Sequence, residues 1–515
     1  MSRFNQTVKN RNVTHNKEGA KAYNLTSELK LYTVVCTTTL QNKFYENNKQ
    51  TYDRLVDLLK NVDPEFACKL AVYAREKMYL RLIPVVMAVE LARIYSGKSF
   101  ISDLIERVIQ RPDEITEMLA FYQYINNRTG TKKLNKLSNQ IKKGIKKVFE
   151  SGKFDEYQFS KYNRKTEIRL RDALFLSHPK PQDKAQKELF NKIADDNLDT
   201  AYTWETQMSE AGKKDSPLTT KKEVWEEMIN SKKMGYMATL RNLRNFLEDG
   251  VSKECIEKVC DYLRNPVAVR NSKQLPFRFL AAYRMMGEQP YTGWDSVVNR
   301  RVESPYTGMV INALEDAVKE SIYNIPMFDN ENVLIATDVS GSMYSKVSSR
   351  SVINMFDIGT VLAMMMYSKC NTAVAGMFGN DWKVVSFPKS DILRNANEIY
   401  KREGEVGYST NGYKVIEWAN KKSKQYTFDK VMVFTDCQLY GGDIVKEWKK
   451  YKRINPNAKL YLFDLSGYGN TPLNVENNDV FLISGWSDKV FDVLKTFDEG
   501  EDAIDKIMEI DFDID

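Results

Sequence analysis

Histidine is rare in this sequence of 515 residues, which contains two histidines and six cysteines. The cysteines form no CxxC pair and no ligand-like group with a histidine, so we expect reduced, partly buried thiols and no zinc site. No run of about 18 apolar residues occurs, so neither a membrane-spanning helix nor a membrane partner is expected. The opening segment is polar and lacks the apolar stretch of a secretion signal, which favours a cytoplasmic protein.

The sequence also lacks the composition of a disordered chain, because hydrophobic residues make up 42% of it and charged residues 28%. A length of 515 residues exceeds what one hydrophobic core usually supports, so at least two domains are expected. The net charge of +7 is unevenly distributed: residues 498–515 hold nine acidic residues and one lysine, which leaves +15 on the rest. That basic body suits a polyanion such as RNA; the alternative is a soluble basic protein without such a partner.

Residues 1–328 show apolar positions at three- and four-residue spacing, which predicts helices. The helices are expected over Thr51–Leu59, Phe66–Lys77, Ile101–Gln110, Ser138–Phe149, Lys184–Ala194, Val224–Asn230, Ala238–Leu247, Lys253–Leu263, Phe277–Met286 and Val310–Tyr323. Consecutive short helices indicate an all-α helical-repeat domain, although no sequence period is visible.

Residues 329–497 have a different pattern, in which short apolar runs alternate with helical stretches. Strands are expected over Val333–Thr337, Thr372–Phe378, Val431–Thr435, Leu460–Leu465 and Val480–Ile483. Helices are expected over Val352–Tyr367, Tyr413–Asn420, Ile444–Tyr451 and Asp488–Thr496. This alternation predicts an α/β domain with a largely parallel sheet. The acidic tail, residues 498–515, is compatible with a strand, a helix or a disordered arm.

Oxygen-bearing side chains follow the strands of this second domain. Asp338, Ser340 and Ser342 come directly after the first strand, Thr410 lies in a loop before a helix, and Asp436 ends another strand. Such groups converge where strands of an α/β fold end, and hard divalent cations prefer oxygen ligands. We therefore expect a cation site, with Mg²⁺ favoured over Mn²⁺ or Ca²⁺. The alternative is a tight turn in which both serines merely cap the next helix.

Basic residues concentrate in the middle of the helical domain. On one predicted helix, Lys142 and Lys146 share a face, as do Lys143 and Lys147, because residues four apart are neighbours. The further basic candidates for phosphate contact are Lys132, Lys133, Lys136, Lys161, Arg164, Lys165, Arg169, Arg171 and Lys180. Tyr162, which follows Lys161 in the sequence, is suited to stacking on an unpaired base. The simpler interpretation is a solvated helix face.

The five oxygen ligands named above resemble the metal-ion-dependent adhesion site of von Willebrand factor A domains, in which DxSxS is followed by a distant Thr and a distant Asp. Carried over by position, the resemblance implies that Asp338, Ser340, Ser342, Thr410 and Asp436 hold the cation, some directly and others through water. It also implies one coordination position open to a partner's carboxylate.

The helical domain resembles the TROVE domain of the Ro ribonucleoprotein autoantigen family. The segments that carry the resemblance are Leu40–Tyr45 (LQNKFY), Ala71–Glu76 (AVYARE), Leu174–Pro181 (LFLSHPKP), Thr203–Thr206 (TWET), Ser209, Gly212, Trp225, Leu240–Leu243 (LRNL), Asn271–Phe277 (NSKQLPF) and Ser484–Ser487 (SGWS). The order of a TROVE domain before an A domain also fits.

This resemblance implies a HEAT-like ring of helices that binds RNA. In the family, small structured Y RNAs bind a basic outer face, and single-stranded ends of misfolded RNA enter the central hole. By position, Lys161, Arg164 or Lys165, and His178 match the family's Y RNA contacts. His178 precedes a proline, so an alternative role for it is to cap or pack a helix end.

Three functions follow from these features. The first is a non-catalytic RNA-binding scaffold that binds Y-like small RNA and misfolded or fragmentary RNA, and attaches an exoribonuclease or another protein through the A domain. The second is an adhesion or assembly module whose metal captures an acidic protein partner. The third, a metal-dependent hydrolase or nuclease, is disfavoured because the sequence offers no nucleophile–base pairing and no P-loop.

Overall fold

The computed structural model describes residues 12–128, 134, 136–211, 220–286, 302–323, 325, 327–348, 351–440, 442–477, 479–499 and 501–514. Up to residue 321 its elements are β1 (Val13–His15), β2 (Lys21–Asn24), α1 (Ser27–Cys36), α2 (Asn48–Asn61), α3 (Pro64–Glu76), α4 (Leu82–Ile94), α5 (Phe100–Val108), α6 (Pro112–Ile125), α7 (Asn139–Glu150), α8 (Glu156–Tyr162), α9 (Leu170–Ser177), α10 (Lys184–Ala194), α11 (Trp204–Ala211), α12 (Lys221–Asn230), α13 (Tyr236–Glu248), α14 (Lys253–Leu263), α15 (Pro266–Ser272), α16 (Phe277–Met285) and α17 (Thr307–Ser321).

The remainder of the chain alternates strands and helices. Its elements are β3 (Phe328–Asp338), α18 (Met355–Ser368), β4 (Cys370–Phe378), β5 (Trp382–Val385), α19 (Ile392–Lys401), α20 (Tyr413–Lys422), β6 (Lys430–Thr435), α21 (Ile444–Ile454), β7 (Lys459–Asp464), β8 (Asn470–Thr471), β9 (Val480–Ser484), α22 (Asp492–Glu499) and α23 (Ala503–Met508), with short 3-10 helices at Gly341–Tyr344, Glu403–Val406 and Asp488–Phe491. The predicted fold class, a helical region followed by an α/β domain, is confirmed.

Contacts group the described residues into two compact units. The α/β unit takes its residues from Met1–Leu58, Leu275–Arg300 and Leu314–Lys506. The helical unit takes them from Leu59–Gln274, Arg301–Ala313 and Ile507–Asp515. The described residues up to Leu58, assigned from the sequence to the helical domain, therefore cluster with the α/β domain, and those from Ile507 onward cluster with the helices.

The helical unit is built from amphipathic helices with defined ends. Helix α3, for example, starts with a proline after Asp63, whose side chain accepts hydrogen bonds from the backbone N–H groups of Glu65 and Phe66. Helices α5 and α7 approach closely because α7 has Gly144 at the contact, where a Cβ would lie 2.6 Å from the Ile105 side chain. Among the described residues, no helix is long and apolar enough to cross a membrane.

A buried ion pair links α3 to α6 inside this unit. The Arg75 guanidinium donates to both carboxylate oxygens of Glu114, at 2.8 and 2.9 Å, and both side chains are buried. Arg75 Nε also donates to the Val108 carbonyl oxygen at 2.9 Å. Because each charge has its partner within the core, removal of either would leave the other buried and uncompensated.

The α/β unit contains a six-stranded sheet of order β5-β4-β3-β6-β7-β9. The neighbouring strands from β4 to β9 pair in parallel, and β5 is an antiparallel edge strand. Helices cover both faces: α20 and α21 pack with Leu334 and Val433 on one, whereas α18 approaches the other through Gly359, where a Cβ would lie 2.7 Å from Leu465. Parallel strands buried on both faces explain the continuous apolar runs in the sequence.

The N-terminal strands join the α/β unit through a second, small sheet. Strands β1 and β2 form an antiparallel hairpin, and β2 pairs with β8 in the register Tyr23–Thr471 and Asn24–Asn470. Helix α1 then reaches the end of β9, where the Tyr32 hydroxyl accepts a hydrogen bond from the Ser484 N–H at 3.0 Å. These contacts bring the start of the chain to the edge where the parallel strands end.

Within the described part of the acidic tail, Ala503–Met508 forms a short helix, one of the alternatives that the sequence left open. This helix is α23, and Ile507, Ile510 and Phe512 are buried despite the surrounding acids. Lys69 Nζ donates to the Met508 carbonyl oxygen at 3.0 Å, and Arg107 donates to that of Asp511. Residues 507–514, which belong to the helical unit, are therefore held within it by apolar burial and backbone contacts.

Candidate functional site: a cation site and a basic groove

The candidate cation site lies where β3 and β6, neighbouring parallel strands, both end. Asp338 is the last residue of β3, and Asp436 directly follows β6. Both carboxylates are completely buried. Adjacent parallel strands end at the same edge of a sheet, so the fold itself brings these two residues together.

Polar groups hold the Asp338 carboxylate in place from two sides. Its Oδ1 accepts a hydrogen bond from the Ser340 backbone N–H at 2.8 Å, and its Oδ2 accepts one from the Thr435 hydroxyl at 2.6 Å. The hydroxyl oxygens of Ser340 and Ser342 lie 3.3 Å apart. Ser340 precedes the 3-10 helix Gly341–Tyr344 but makes no capping hydrogen bond with its side chain. The serines thus converge beside the carboxylates instead of capping the next helix.

Asp436 carries an unsatisfied buried oxygen. Its Oδ1 accepts a hydrogen bond from the Gln438 N–H at 3.0 Å, whereas its Oδ2 accepts none from any residue that the structure describes. The following residue, Cys437, has a φ of 62°, a left-handed conformation that directs the chain sharply after the strand. A buried carboxylate oxygen without a partner is costly, and a cation bound beside it would remove that cost.

The raised pKa values of the two carboxylates also favour a cation site. Burial raises the pKa of Asp338, and the nearby Asp436 raises it further. Burial also raises the pKa of Asp436, which the neighbouring Ser342 side chain partly offsets. Two buried acids that disfavour each other's charge are the environment that a divalent cation stabilises.

The loop that contains Thr410 packs beside these residues. The Gly341 N–H donates to the Tyr408 carbonyl oxygen at 3.2 Å, and the Tyr440 N–H donates to that of Thr410 at 3.0 Å. Thr410 itself is buried. The structure therefore brings together the three segments that supply all five predicted ligands.

The donor set fits a hard cation that prefers oxygen ligands, rather than a metal that prefers nitrogen or sulfur ligands. Among the described residues, no group of three or more His, Cys, Asp and Glu side chains is arranged to hold a metal. Two carboxylates and several hydroxyls remain, which are ligands suited to Mg²⁺, Mn²⁺ or Ca²⁺. All six cysteines are buried free thiols.

Three residues near the site were missed from the sequence. Asp464, the last residue of β7, is a third buried carboxylate, and burial raises its pKa to about 6. Its position at the end of a predicted strand is the sequence feature from which Asp464 could have been selected. Tyr45 and Glu18 approach from the N-terminal segment, for which no sequence pattern predicted contact with the A domain.

The second candidate site is a groove of about 770 Å³ on the helical unit. Its predicted basic residues are Lys161, Arg164, Lys165 and Arg169. The groove also contains two arginines that were not predicted from the sequence, Arg111 and Arg241. Two aromatic side chains line it as well, the predicted Tyr162 and Trp204. Cationic and aromatic groups in one groove are the combination that binds nucleic-acid backbones and bases.

Part of this positive charge is already paired within the chain. The Arg169 guanidinium contacts the Asp196 carboxylate at 2.5 Å, and Arg111 stacks over the Tyr162 ring at 4.2 Å. Lys161, Arg164 and Lys165 are exposed. Arg241 is exposed as well. These four residues are therefore the cations of the groove most available to a phosphate.

The lysines of α7 lie on a neighbouring surface. Lys143 is exposed, whereas Lys147 pairs with Asp103 and Lys146 lies 3.7 Å from Glu150. Lys142 is half-buried. The predicted stripe thus exists, but acidic residues of the chain neutralise about half of it.

The SHPKP segment follows directly from α9. His178 ends that helix with a φ of 49°, its N–H donates to the Leu174 carbonyl oxygen at 3.0 Å, and its side chain is exposed. The Lys180 N–H donates to Glu150 at 2.6 Å, which connects the segment to the end of α7. His178 therefore caps a helix and also presents its ring to solvent.

The remaining predicted cations are separate from the groove. Arg171 lies 5.8 Å from the Phe175 ring, and the exposed Lys136 is described with a φ of 61°. Lys132 and Lys133 lie outside the described residues. Their proposed contacts with RNA stay predictions.

Comparison with known proteins finds a family model that matches each of the two parts of the chain. The model of the TROVE domain matches residues 21–215 and 196–290, and the model of the Ro60 vWA domain matches residues 332–498. The crystal structure of the Deinococcus radiodurans RO (RSR) protein superimposes with a TM-score of 0.58 at 18% identity, over 92% of this chain and 100% of that one. The fold is therefore shared.

Two curated relatives match a smaller part of the chain. Telomerase protein component 1 of Mus musculus is 23% identical over 341 residues, which is 50% of this chain and 12% of that protein. Its Rattus norvegicus counterpart is 23% identical over 303 residues, 44% of this chain and 11% of that protein. The chain spans only about a tenth of the length of these relatives. With a TROVE domain followed by a Ro60-type A domain, the chain belongs to the Ro ribonucleoprotein autoantigen family.

Proposed function

We propose that this protein is a non-catalytic RNA-binding scaffold of the Ro type. The observation that carries the proposal is the groove in which exposed Lys161, Arg164 and Lys165 lie beside Tyr162. Cations at this density neutralise phosphates, and an aromatic ring beside them can stack on an unpaired base. The family relationship adds the expectation that the ligand is RNA.

The finer proposal concerns which RNA is bound. Y-like small RNAs would bind the groove and the adjoining SHPKP segment, whereas single-stranded ends of misfolded or fragmentary RNA would enter the central hole expected from the family. The protein would then present RNA for quality control or processing. A protein partner such as an exoribonuclease would attach through the A domain.

The test compares RNA binding by two charge-matched variants of the full chain. Lys161, Arg164 and Lys165 are replaced by alanine in the first, and exposed Lys421, Lys422 and Lys424 in the second. Binding of a labelled RNA hairpin should weaken by 10-fold or more, about 1.5 kcal/mol, in the first variant, because charged hydrogen bonds contribute about 1.5–3 kcal/mol each and rarely add fully. The second variant should bind like wild type. Equal losses in both would show that only the general positive field matters, and the groove would have to be abandoned.

A second function is favoured by the cation site. The unsatisfied Oδ2 of buried Asp436 beside Asp338 suits a divalent cation, Mg²⁺ first, and such a cation would accept a carboxylate of a protein partner. This would make the A domain an assembly module. RNA binding that persists after Asp338 is replaced would separate the two functions.

Catalysis is not part of the proposal. Three of the five candidate ligands at the cation site are hydroxyl groups, and the sequence offers two histidines, His15 and His178, far apart along the chain. The sequence supplies no nucleophile–base pairing that would activate water or a hydroxyl. Retained RNA should therefore stay intact in the presence of Mg²⁺, which gel analysis after prolonged incubation would check.

A further inference from the structure

The turn between β1 and β2 is fixed to the segment that follows Asp436. The Asn16 side chain accepts hydrogen bonds from the N–H groups of Glu18 and Ala20, at 3.1 and 2.9 Å, which orders the turn. Its Nδ2 donates to the Leu439 carbonyl oxygen at 2.7 Å. The Asn16 side chain is buried, so this contact is shielded from solvent.

A second contact reaches the site itself. The Lys17 N–H donates to Gln438 Oε1 at 2.8 Å, and the Gln438 N–H donates to Asp436 Oδ1 at 3.0 Å. Gln438 thus bridges the N-terminal turn, through its side chain, and a candidate cation ligand, through its backbone N–H. The turn is therefore held in a defined position beside the site.

Glu18 and Tyr45 form a pair at this position. The Tyr45 hydroxyl donates to the Glu18 carboxylate, and its ring packs edge-on against Tyr468 with centroids 5.4 Å apart. Tyr45 also interacts with the Ser342 side chain, and the charge of Asp436 contributes to raising its pKa. Glu18 in turn contributes to raising the pKa of Asp436. Because Glu18 follows Lys17, whose N–H donates to the side chain of Gln438, the pair lies beside the segment that follows Asp436.

Burial shows on which side of the site the pair lies. Asp338, Ser340 and Asp436 are completely buried, whereas Tyr45 is half-buried and Glu18 is exposed. The pair is therefore closer to solvent than the candidate ligands are. An incoming carboxylate would meet it and be repelled by the charge of Glu18.

We propose that the Glu18–Tyr45 pair is a cap on the cation site, supplied by the chain itself. It adds negative charge beside the cation, and it blocks external carboxylates from the cation's outer side. Glu18 acts through Tyr45 rather than as a direct ligand, since among the described residues it joins no three-membered ligand group with the two aspartates. The inference rests on the proposed cation site.

Mn²⁺ provides the test, because its effect on the relaxation of water protons reports both its binding and the access of water to it. Full-length wild type, Glu18→Gln, Tyr45→Phe, Asp436→Asn and the control Glu398→Gln are titrated with Mn²⁺, and then with sodium acetate or, separately, sodium chloride. Glu398 is an acid of α19 that pairs with Lys401 at 2.8 Å. Its replacement removes the same charge as the Glu18 substitution.

The expected results differ for each variant. Glu18→Gln should weaken Mn²⁺ binding about fivefold by removing one nearby charge, and acetate should then displace water from the bound ion. Tyr45→Phe should gain the acetate response with a smaller loss of Mn²⁺ affinity, because the charge remains. Wild type and Glu398→Gln should bind Mn²⁺ and ignore acetate.

Two contrary results have different meanings. If wild type binds Mn²⁺, Asp436→Asn does not, and both Glu18→Gln and Tyr45→Phe behave like wild type, then the cap is refuted while the cation site stands. If wild type fails to bind Mn²⁺, or Asp436→Asn binds it equally well, the cation site is refuted and the cap with it.

Discussion

The two candidate sites hold their charges in opposite ways. At the cation site the carboxylates of Asp338 and Asp436 are completely buried, and hydrogen bonds and strand ends fix them in place. In the groove the side chains of Lys161, Arg164 and Lys165 are exposed. Buried charges interact strongly and are screened little by salt, whereas exposed ones depend on ionic strength. The first site can select one small ion, and the second suits a long polyanion.

The largest expected effect is the response of RNA binding to salt. If six or more phosphates are contacted, affinity should fall by about 10³-fold or more between 50 and 200 mM salt. The Mg²⁺-dependent rise in melting temperature should change little over the same range, because the cation site is buried. Binding and melting curves of the full chain at several KCl concentrations measure both. If RNA affinity did not change with salt concentration, the proposed difference in salt dependence between the groove and the cation site would be wrong.

The next effect contrasts two ion pairs within the helical unit. Glu114→Ala should destabilise the protein by about 3–5 kcal/mol, because it leaves Arg75 charged in the core. Asp103→Ala, which removes the exposed partner of Lys147, should cost about 0–1 kcal/mol. Urea denaturation of both variants measures the difference. Comparable losses would mean that burial does not set the strength of these pairs.

A smaller effect is expected from the cation itself. Mg²⁺ at about 100 times its dissociation constant should stabilise the α/β unit by about 2.7 kcal/mol, seen as a higher melting temperature. Asp338→Asn should abolish the shift by removing one of the two central carboxylates. Differential scanning calorimetry with Mg²⁺ or EDTA reads this out. An unchanged shift in the variant would place the cation elsewhere.

The smallest effect distinguishes lysines within α7. Lys143→Ala should weaken RNA binding about threefold, whereas Lys147→Ala should weaken it less, because Asp103 already neutralises Lys147. Filter binding of one RNA at fixed salt compares the variants. A larger loss for Lys147→Ala would show that RNA displaces Asp103 from its partner.

The parts of the fold that the sequence predicts are those with strong local periodicity. The helices over Lys184–Ala194 and Lys253–Leu263 are found with the predicted bounds, and the five predicted strands are present. Strand β5, Trp382–Val385, was missed because an edge strand of four residues has no clear alternation. Strands β1 and β2 were missed because they are only three and four residues long, and β2 pairs with β8, more than 400 positions away.

At the cation site, too, the residues of a local motif could be predicted from the sequence, whereas residues brought in by long-range packing could not. Asp338, Ser340 and Ser342 were predictable because a short motif follows a strand. Glu18 and Tyr45 were not, because only tertiary packing brings the N-terminal turn to the residues that follow β6. In the groove, some residues were predictable and others were not. One segment supplies the predicted Lys161 and Lys165, whereas Arg241 belongs to another helix and was not predicted.

The exchange of chain ends between the two units affects how the protein can be made and divided. The α/β unit includes residues from the start of the chain, and the helical unit includes Ile507, Ile510 and Phe512 from its end. A ribosome would therefore release the final apolar residues of the helical unit only after the whole α/β unit had been synthesised. Neither unit can be obtained intact by a single cut, and a fragment ending near residue 328 would lack Phe512 while carrying a hairpin whose partner strand is absent. Truncation is therefore unsuited to separating the functions of the two units.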